Sequence, residues 1–388
     1  MSDWRNVLQI EMITKMENVK TFKDYEGAGD GMRSHFYRMC IVSALALVLG
    51  EVSSVAEGAE ASSGDDGMTY EVINTDRLPT VIVGPLTLGG SVRGGVSVGE
   101  DHSKAYLNTL GVRMDFELQQ WGGSAAYRFV TNEDPSGPDS DFHALHHAWG
   151  SYTIPPGNHT IKAGVQRVPF GLLPYASNGR FFSLARYAGF EDDRDLGVRW
   201  RWQHEPWQLD LGFFPRDEGD GGGSSRETAR LSFDSVDAEG VGAEEENQVN
   251  VRCAYRFRHG GDNFTELGVS GQYTGLDSRR FSGTREGYAA AAHLEGNYGR
   301  WNARLQAVRY EYDSMNEAAA DDSVIQMGGY DDAGGFRLSR RGWFHSLGLS
   351  YTIDPPWEAV DSLKFYDDWG VQVKDFGAFH TSAQNVAG

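Results

Sequence analysis

The stretch HTIKAGVQRVPFGLLPYASNGRFF, residues 159–182, decides how the rest of the chain is read. It begins as an alternating strand. Ile161, Ala163 and Val165 point one way, and Lys162, Gly164 and Gln166 the other. The alternation breaks at Val168-Pro169-Phe170-Gly171, where a proline removes a ladder donor and a glycine frees the backbone. A long polar segment follows to about Asp193, and alternation resumes at Arg194. A half-apolar strand that runs into a long loop is what the wall of a transmembrane β-barrel does where a loop leaves it.

The same pattern recurs along the chain. In Leu110–Gln119 the residues Leu110, Val112, Met114, Phe116 and Leu118 share one face, and Arg113, Asp115, Glu117 and Gln119 share the other. A period of two with a polar group at every second place describes a strand between an oily and a wet environment. Thirteen such runs are predicted between Leu86 and Val373. Their connections alternate between tight ones (Trp121-Gly-Gly, Pro155-Pro-Gly-Asn158, His204-Glu-Pro206, Gly299-Arg300, Asp354-Pro-Pro356) and long acidic ones (Asn132–Asp141, Val168–Asp193, Pro215–Asn247, Asp313–Arg341). The alternation holds if Arg226–Phe233 belongs to a long loop rather than to the wall. Short turns on one side and long loops on the other are the asymmetry of bacterial outer-membrane barrels. Aromatics near strand ends, such as Trp149, Trp207, Tyr298, Trp301 and Trp343, suit interfacial girdles.

Composition agrees. The chain has 388 residues, a net charge of -20 and 49 glycines, and it contains no run of eighteen apolar residues. A negative mean hydropathy is expected of a barrel, because only alternate residues face lipid. The acidic balance argues against nucleic acid as a partner. Met32 opens a basic, then apolar (Ile41–Leu49), then Ala59-Glu60-Ala61 pattern, which reads as a secretory signal peptide over residues 32–61. Residues 1–31 then read as a mis-called or non-native extension, and 62–85 as a polar lead-in to the barrel at 86–388. Removal of Cys40 with the signal would leave Cys253 as a single thiol. Thirteen runs is an odd number, and a further strand starts near Gln384-Asn-Val-Ala-Gly388 without a terminal aromatic. The expected fold is therefore all-β: an antiparallel transmembrane β-barrel of about 14–16 strands when complete, with the closing C-terminal strand or strands missing.

Three segments carry a family resemblance. Lys162-Ala-Gly-Val-Gln-Arg-Val-Pro-Phe-Gly171 resembles the Gly-Gln-x-x-x-Pro-Phe-Gly signature of the phosphate-selective porin O/P family. Leu363-Lys-Phe-Tyr-Asp-Asp-Trp369 followed by Ser382-Ala-Gln-Asn-Val386 resembles that family's tail, and Asn247–Tyr273 its paired mid-chain strands. The likeness spans about Leu86 to Gly388. It departs in that Gln166 follows Val165 rather than a glycine, and in the closing strands. The resemblance implies a sixteen-stranded, homotrimeric outer-membrane pore of a Gram-negative bacterium, in contact with lipid and lipopolysaccharide. The loop after Pro169, Phe170 and Gly171 would be folded into the lumen as a constriction, to which Arg180, Arg186 and Arg194 could add charge.

If apolar positions face lipid, the opposite set lines water: Arg93, Arg113, Arg128, Lys162, Arg199, Arg201, Arg252, Arg256, Arg258, Arg304 and Lys364, with Asp115, Glu117, Asp210, Glu266 and Glu295 among them. Basic residues outnumber acidic ones there. Two outcomes stay open: a general diffusion pore for small hydrophilic solutes, or one that prefers anions such as phosphate, which guanidinium forks hold well. A non-conducting barrel with a structural or adhesive role is the alternative. On a regular strand His143 and His147 share a face and His146 points away, so no three-histidine metal site is expected. The acidic runs Glu191-Asp-Asp193, Asp217-Glu218, Glu244-Glu-Glu246 and Asp331-Asp332 could bind divalent cations such as calcium near lipopolysaccharide, but the expectation is that they are solvated loop charges. No motif nominates a nucleophile or a cofactor, so no catalysis is expected.

Overall fold

The structure is a computed structural model that describes residues 69–75, 81–99, 102–131, 141–179, 181–218, 231–236, 242–277, 283, 285–313, 323–329, 335–356 and 362–388. The extension, the signal segment, Arg180 and the acidic pair Asp331-Asp332 lie outside these residues.

One antiparallel meander dominates. Its strands are β1 (Thr69–Thr75), β2 (Val81–Val83), β3 (Leu86–Gly99), β4 (His102–Leu118), β5 (Trp121–Val130), β6 (Phe142–Ile154), β7 (His159–Arg167), β8 (Arg194–His204) and β9 (Trp207–Asp217). After a short strand, β10 (Phe233–Ser235), it continues with β11 (Glu244–Gly260), β12 (Asn263–Asp277), β13 (Arg285–Tyr298) and β14 (Trp301–Tyr312). Two more short strands follow, β15 (Val324–Gly329) and β16 (Phe336–Ser339). The wall then ends with β17 (Arg341–Ile353), β18 (Leu363–Lys374) and β19 (Ser382–Ala387).

Sixteen of these strands form the main sheet, each paired with its neighbour along the chain. β1 and β2 both pair with β3, at Thr75↔Val92 and Val81↔Leu88, so they act as one interrupted stave. Residues 69–75 and 81–83 of the polar lead-in supply this stave. Among the described residues no register joins that stave to β19. β10, β15 and β16 form a separate three-stranded sheet from two long loops, and Phe233, the last residue of the 226–233 segment, opens β10 there and not in the main sheet.

The usual partition of a folded chain is inverted. Val112, Met114, Leu211, Val249, Val269, Leu305 and Leu349 project outward and are exposed, Val269 by 60%. Asp210, Arg252, Glu266, Gln272 and Gln306, on the opposite faces of four of these strands, are buried, as is Arg199 on β8. Exposed aromatics form two belts. Trp121, Trp207, Tyr298, Trp301 and Phe365 mark the tight-turn end, and Phe129, Phe213, Tyr288 and Trp343 the long-loop end. Cross-strand rings reinforce the first belt, with Trp121–Tyr152 at 4.8 Å and Trp301–Tyr351 at 4.7 Å between centroids.

The interior is not polar throughout. Near the long-loop end, inward residues Ala289, Ala291, Val308, Tyr310 and Phe344 form an apolar cluster with Val168, Phe170 and Phe190 of the loop and Ile325 and Met327 of β15. Here both faces of a strand are apolar, because loops fold in and bring their own hydrophobic surface. Burying a large apolar side chain in such a cluster contributes about 1.5–3 kcal/mol.

Two wall residues show how tightly this geometry is set. Gln166 is buried in the wall, where its Nε2 donates to the carbonyls of Lys162 and Gly197, each at 3.1 Å. Gly164 has φ of +123, and a Cβ there would meet Ala148 O at 2.2 Å. Gly164→Val is expected to destabilise the fold by roughly 2–5 kcal/mol, from backbone strain plus overpacking. The check is the urea midpoint of the refolded variant in detergent micelles; an unchanged midpoint would contradict this packing.

Candidate functional site: a basic cavity beside an inward loop

Loop residues 168–193 leave β7 and fold into the space enclosed by the sheet, where they are held from several staves. Arg252 Nε on β11 donates to Gly171 O at 2.8 Å, and Gly171 N donates to Ser270 Oγ on β12 at 3.0 Å. Leu172 N donates to Gln306 Oε1 on β14 at 2.6 Å, and Arg304 Nη1 to Ser177 O at 2.7 Å. Asp368 Oδ2 on β18 accepts from the backbone N–H groups of Asn178 and Gly179, both at 2.7 Å. Within the loop, Glu191 accepts from the N–H groups of Ala176, Ser177 and Ser183. Gly171 allows the turn with φ of +59, and Phe170 seats against Phe190 with ring centroids 5.4 Å apart. Gln306, Asp368 and Glu191 escaped the sequence reading, since nothing local marks them as loop holders.

Beside this loop lies a cavity of about 520 Å³. Eight basic side chains line it: Arg113, Lys162, Arg167, Arg194, Arg199, Arg201, Arg252 and Arg256. Four carboxylates answer them. Asp115 holds Arg113 at 2.7 Å, and Asp210 Oδ1 accepts from Arg199 and Arg201, both at 2.8 Å. Glu266 holds Arg252 and Arg256, both at 2.7 Å. Asp192 holds Arg167 at 2.9 Å and Arg194 at 2.6 Å, and also Arg186, outside the lining, at 3.1 Å. Eight basic side chains against four paired carboxylates, one of them shared with Arg186 outside the lining, leave the cavity with a positive excess. Lys162 Nζ sits 3.6 Å from the Trp149 ring centroid, a favourable cation–π contact.

The structure thus brings together Arg113, Asp115, Lys162, Arg199, Arg201, Asp210, Arg252 and Arg256 of the sequence-expected lining, with two corrections. Asp210 is fully buried behind Arg199 and Arg201, and Arg252 is 2% exposed, so both organise the wall more than they meet solvent. Arg93, Arg128, Glu117, Glu295 and Arg304 are not among the side chains that line the cavity; Glu295 and Arg304 pair with each other at 3.2 Å. Arg258 pairs with Glu205 at the tight-turn end. Arg186 and Arg194 were expected to add free charge at the constriction. They are instead tied to Asp192, whose buried carboxylate needs them as much as they need it.

The histidines also depart from expectation. A β-bulge in the β5–β6 pairing lies opposite His146, between the Ala126↔His147 and Tyr127↔Leu145 pairs. The extra residue breaks the period of two. His146 and His147 therefore both line the cavity, with their Nδ1 atoms 2.7 Å apart, while His143 bonds Tyr127 on the exposed side.

The acidic runs are likewise not all solvated: Glu191, Asp192, Asp193 and Asp217 are buried. Asp193, Asp195, Glu218 and Asp234 each bring one oxygen within 4.8 Å of the others. Burial, then Asp195, Glu245 and Glu218, push the Asp193 carboxyl well above the usual carboxylate range. Burial would do the same to Asp192, but Arg194, Arg186 and Arg167 overcome it and hold that carboxyl far below the range.

No protein-family profile matches the chain, and no curated protein does. Among solved structures, an anion-selective porin from Comamonas acidovorans is 12% identical over 78% of this chain and 94% of that one, with a TM-score of 0.35. The trimer form of OmpT, an outer membrane protein of Vibrio cholerae, is 13% identical over 77% and 96%, with a TM-score of 0.38. OccK2 of Pseudomonas aeruginosa is 13% identical over 80% and 90%, with a TM-score of 0.27. Likeness this distant does not superpose side chains, so the functional reading rests on the chain's own geometry.

Proposed function

We propose that this protein is an outer-membrane porin, a passive diffusion channel for small hydrophilic solutes that favours anions, phosphate among them. The observation that carries the reading is the inverted wall: apolar side chains outward between two aromatic belts, and ion-paired polar side chains inward around a basic cavity. In water this arrangement would expose apolar surface at about 25 cal/mol per Å². In a bilayer it is the stable one, because paired strands satisfy their backbone groups in the ladder and hydrocarbon meets hydrocarbon. Residence in a Gram-negative outer membrane, contact with lipopolysaccharide and assembly as a homotrimer belong to the same reading.

Planar-bilayer recording of the refolded protein is expected to show stepwise conductance, with a zero-current potential in a KCl gradient displaced toward the chloride value. Absence of steps would overturn the channel reading. Lys162→Glu changes the cavity charge by two units. At about 8 Å in water each unit is worth roughly 0.5 kcal/mol, so after screening the anion-to-cation permeability ratio should fall about threefold to fivefold. The apolar cluster of inward loops at one end supports a second reading, a barrel that does not conduct. Swelling of protein-loaded liposomes in small sugars would exclude it.

A further inference from the structure

The four carboxylates of Asp193, Asp195, Glu218 and Asp234 sit apart from the basic cavity, at the long-loop end, and they come from different parts of the fold. Asp193 closes the inward loop and Asp195 stands near the start of β8. Glu218 follows β9, and Asp234 is the centre of β10 in the three-stranded insert. Acidic clusters on a surface are ordinary, because water screens them. This one is not on the surface. Asp193 is 6% exposed and Asp195 3%. Two buried carboxylates brought this close to two others repel one another unless a positive charge or protons intervene.

The oxygens are unevenly used. Glu218 Oε1 accepts from the N–H groups of Leu231 and Ser232, at 3.2 and 2.8 Å, and from the Ser232 hydroxyl. Asp195 Oδ2 accepts from Gln248 Nε2 at 3.0 Å. Their second oxygens, Glu218 Oε2 and Asp195 Oδ1, are buried without a hydrogen-bond donor, and so is Asp193 Oδ1. A buried carboxylate oxygen without a partner costs free energy comparable to a lost hydrogen bond to a charged group. Three such oxygens fall on three of the four clustered carboxylates, and two of those side chains, Asp195 and Glu218, are held in place by hydrogen bonds through their other oxygen.

From this geometry we infer that Asp193, Asp195, Glu218 and Asp234 bind a divalent cation of the calcium class, which staples the inward loop and the three-stranded insert to the wall. The donor set is all oxygen and anionic, as hard cations require. Oxygens on opposite sides of Ca²⁺ lie about 4.6–5.2 Å apart, and on opposite sides of Mg²⁺ about 4.0–4.2 Å. Oxygens that all lie within 4.8 Å of one another can close on an ion of calcium's size. Mg²⁺ also keeps several waters, for which a buried four-carboxylate pocket is a poor host.

The test uses the refolded chain in detergent micelles, stripped with EDTA and desalted. Isothermal titration with CaCl₂ is expected to show saturable binding of roughly one calcium per chain, complete below about 1 mM. At a hundredfold excess over Kd, the thermal midpoint should rise by roughly 3–5 °C relative to EDTA. MgCl₂ should bind at least tenfold more weakly. The double variant Asp195→Asn/Glu218→Gln keeps the hydrogen bonds' shape but removes two charges, and it should lose both the binding heat and the calcium-dependent shift. No calcium heat or shift in the folded wild type at 1 mM would overturn the site, as would tighter binding of magnesium or unaltered calcium binding by the variant. If the double variant fails to fold, the wild-type titrations and Asp234→Asn still decide the question.

Discussion

Arg252→Met is expected to cost about 3–5 kcal/mol of stability and to release the inward loop from the wall. The guanidinium is 2% exposed and holds three groups at once: Gly171 O through Nε at 2.8 Å, Glu266 Oε1 through Nη2 at 2.7 Å, and His293 Nε2 at 3.1 Å. Its Nη1 also stands 3.9 Å from Asp210 Oδ2. Methionine fills a similar volume, so the cost comes from charge and donors rather than from a void. Glu266 would keep only the more exposed Arg256 as an ionic partner, and Gly171 O would lose its donor. Arg256→Gln makes the control. Arg256 shares the same carboxylate but its side chain is 40% exposed, so the expected loss is under about 1 kcal/mol. Urea unfolding followed by tryptophan fluorescence gives the stabilities, and limited proteolysis reports on the loop. In bilayers the Met variant should show noisier, larger steps. A variant within 1 kcal/mol of wild type whose loop stays protease-resistant would show that the latch is elsewhere.

Why Arg252 could be named as an inward residue from sequence, but not as a latch, illustrates what the chain discloses. Strands are legible because each wall residue answers to one of two solvents, as along Phe142–Ile154 and Trp301–Tyr312. Others run further than their apolar periodicity. β11 reaches from Glu244 to Gly260 because its ends pair with partners even where both faces are polar. Alternation fails wherever a bulge inserts a residue, as at His146, because one extra residue reassigns every side chain beyond it. The loops are the least legible part. Glu191, Asp193 and Asp217 look like solvated charge in a linear reading, and acidic residues here are placed by contacts distant in sequence: Glu191 with Ser177, fourteen residues away, Asp195 with Gln248, 53 away, and Asp368 with Asn178, 190 away. The anionic character of the whole chain likewise gives no hint of a basic cavity, since the excess acid and the excess base occupy different regions.

Replacing Asp192 by asparagine should have an effect of the same size for a different reason. Its carboxylate is shared by Arg167, Arg186 and Arg194 at 2.9, 3.1 and 2.6 Å. Asp192 stands in the left-handed region with φ of 59, which asparagine tolerates, so the backbone should be undisturbed. What changes is that three guanidiniums, two of them nearly buried, face one another without a counter-charge. The expected loss is about 3–5 kcal/mol at pH 7. The pH dependence tests the cause. Because the folded carboxyl is held far below its ordinary value, the stabilisation is complete above about pH 4 and declines as pH falls toward the folded value, by about 1.4 kcal/mol per unit. Asparagine cannot titrate. The stability gap between wild type and Asp192→Asn should therefore be constant from pH 7 to about pH 4 and narrow at pH 2, which urea midpoints at the three values would show. A gap of the same size at pH 2 would mean that the carboxylate acts through shape rather than charge. No gap at pH 7 would mean that the three arginines find other partners. If the variant inserts into bilayers, its uncompensated charge borders the cavity, and its anion preference should exceed that of the wild type.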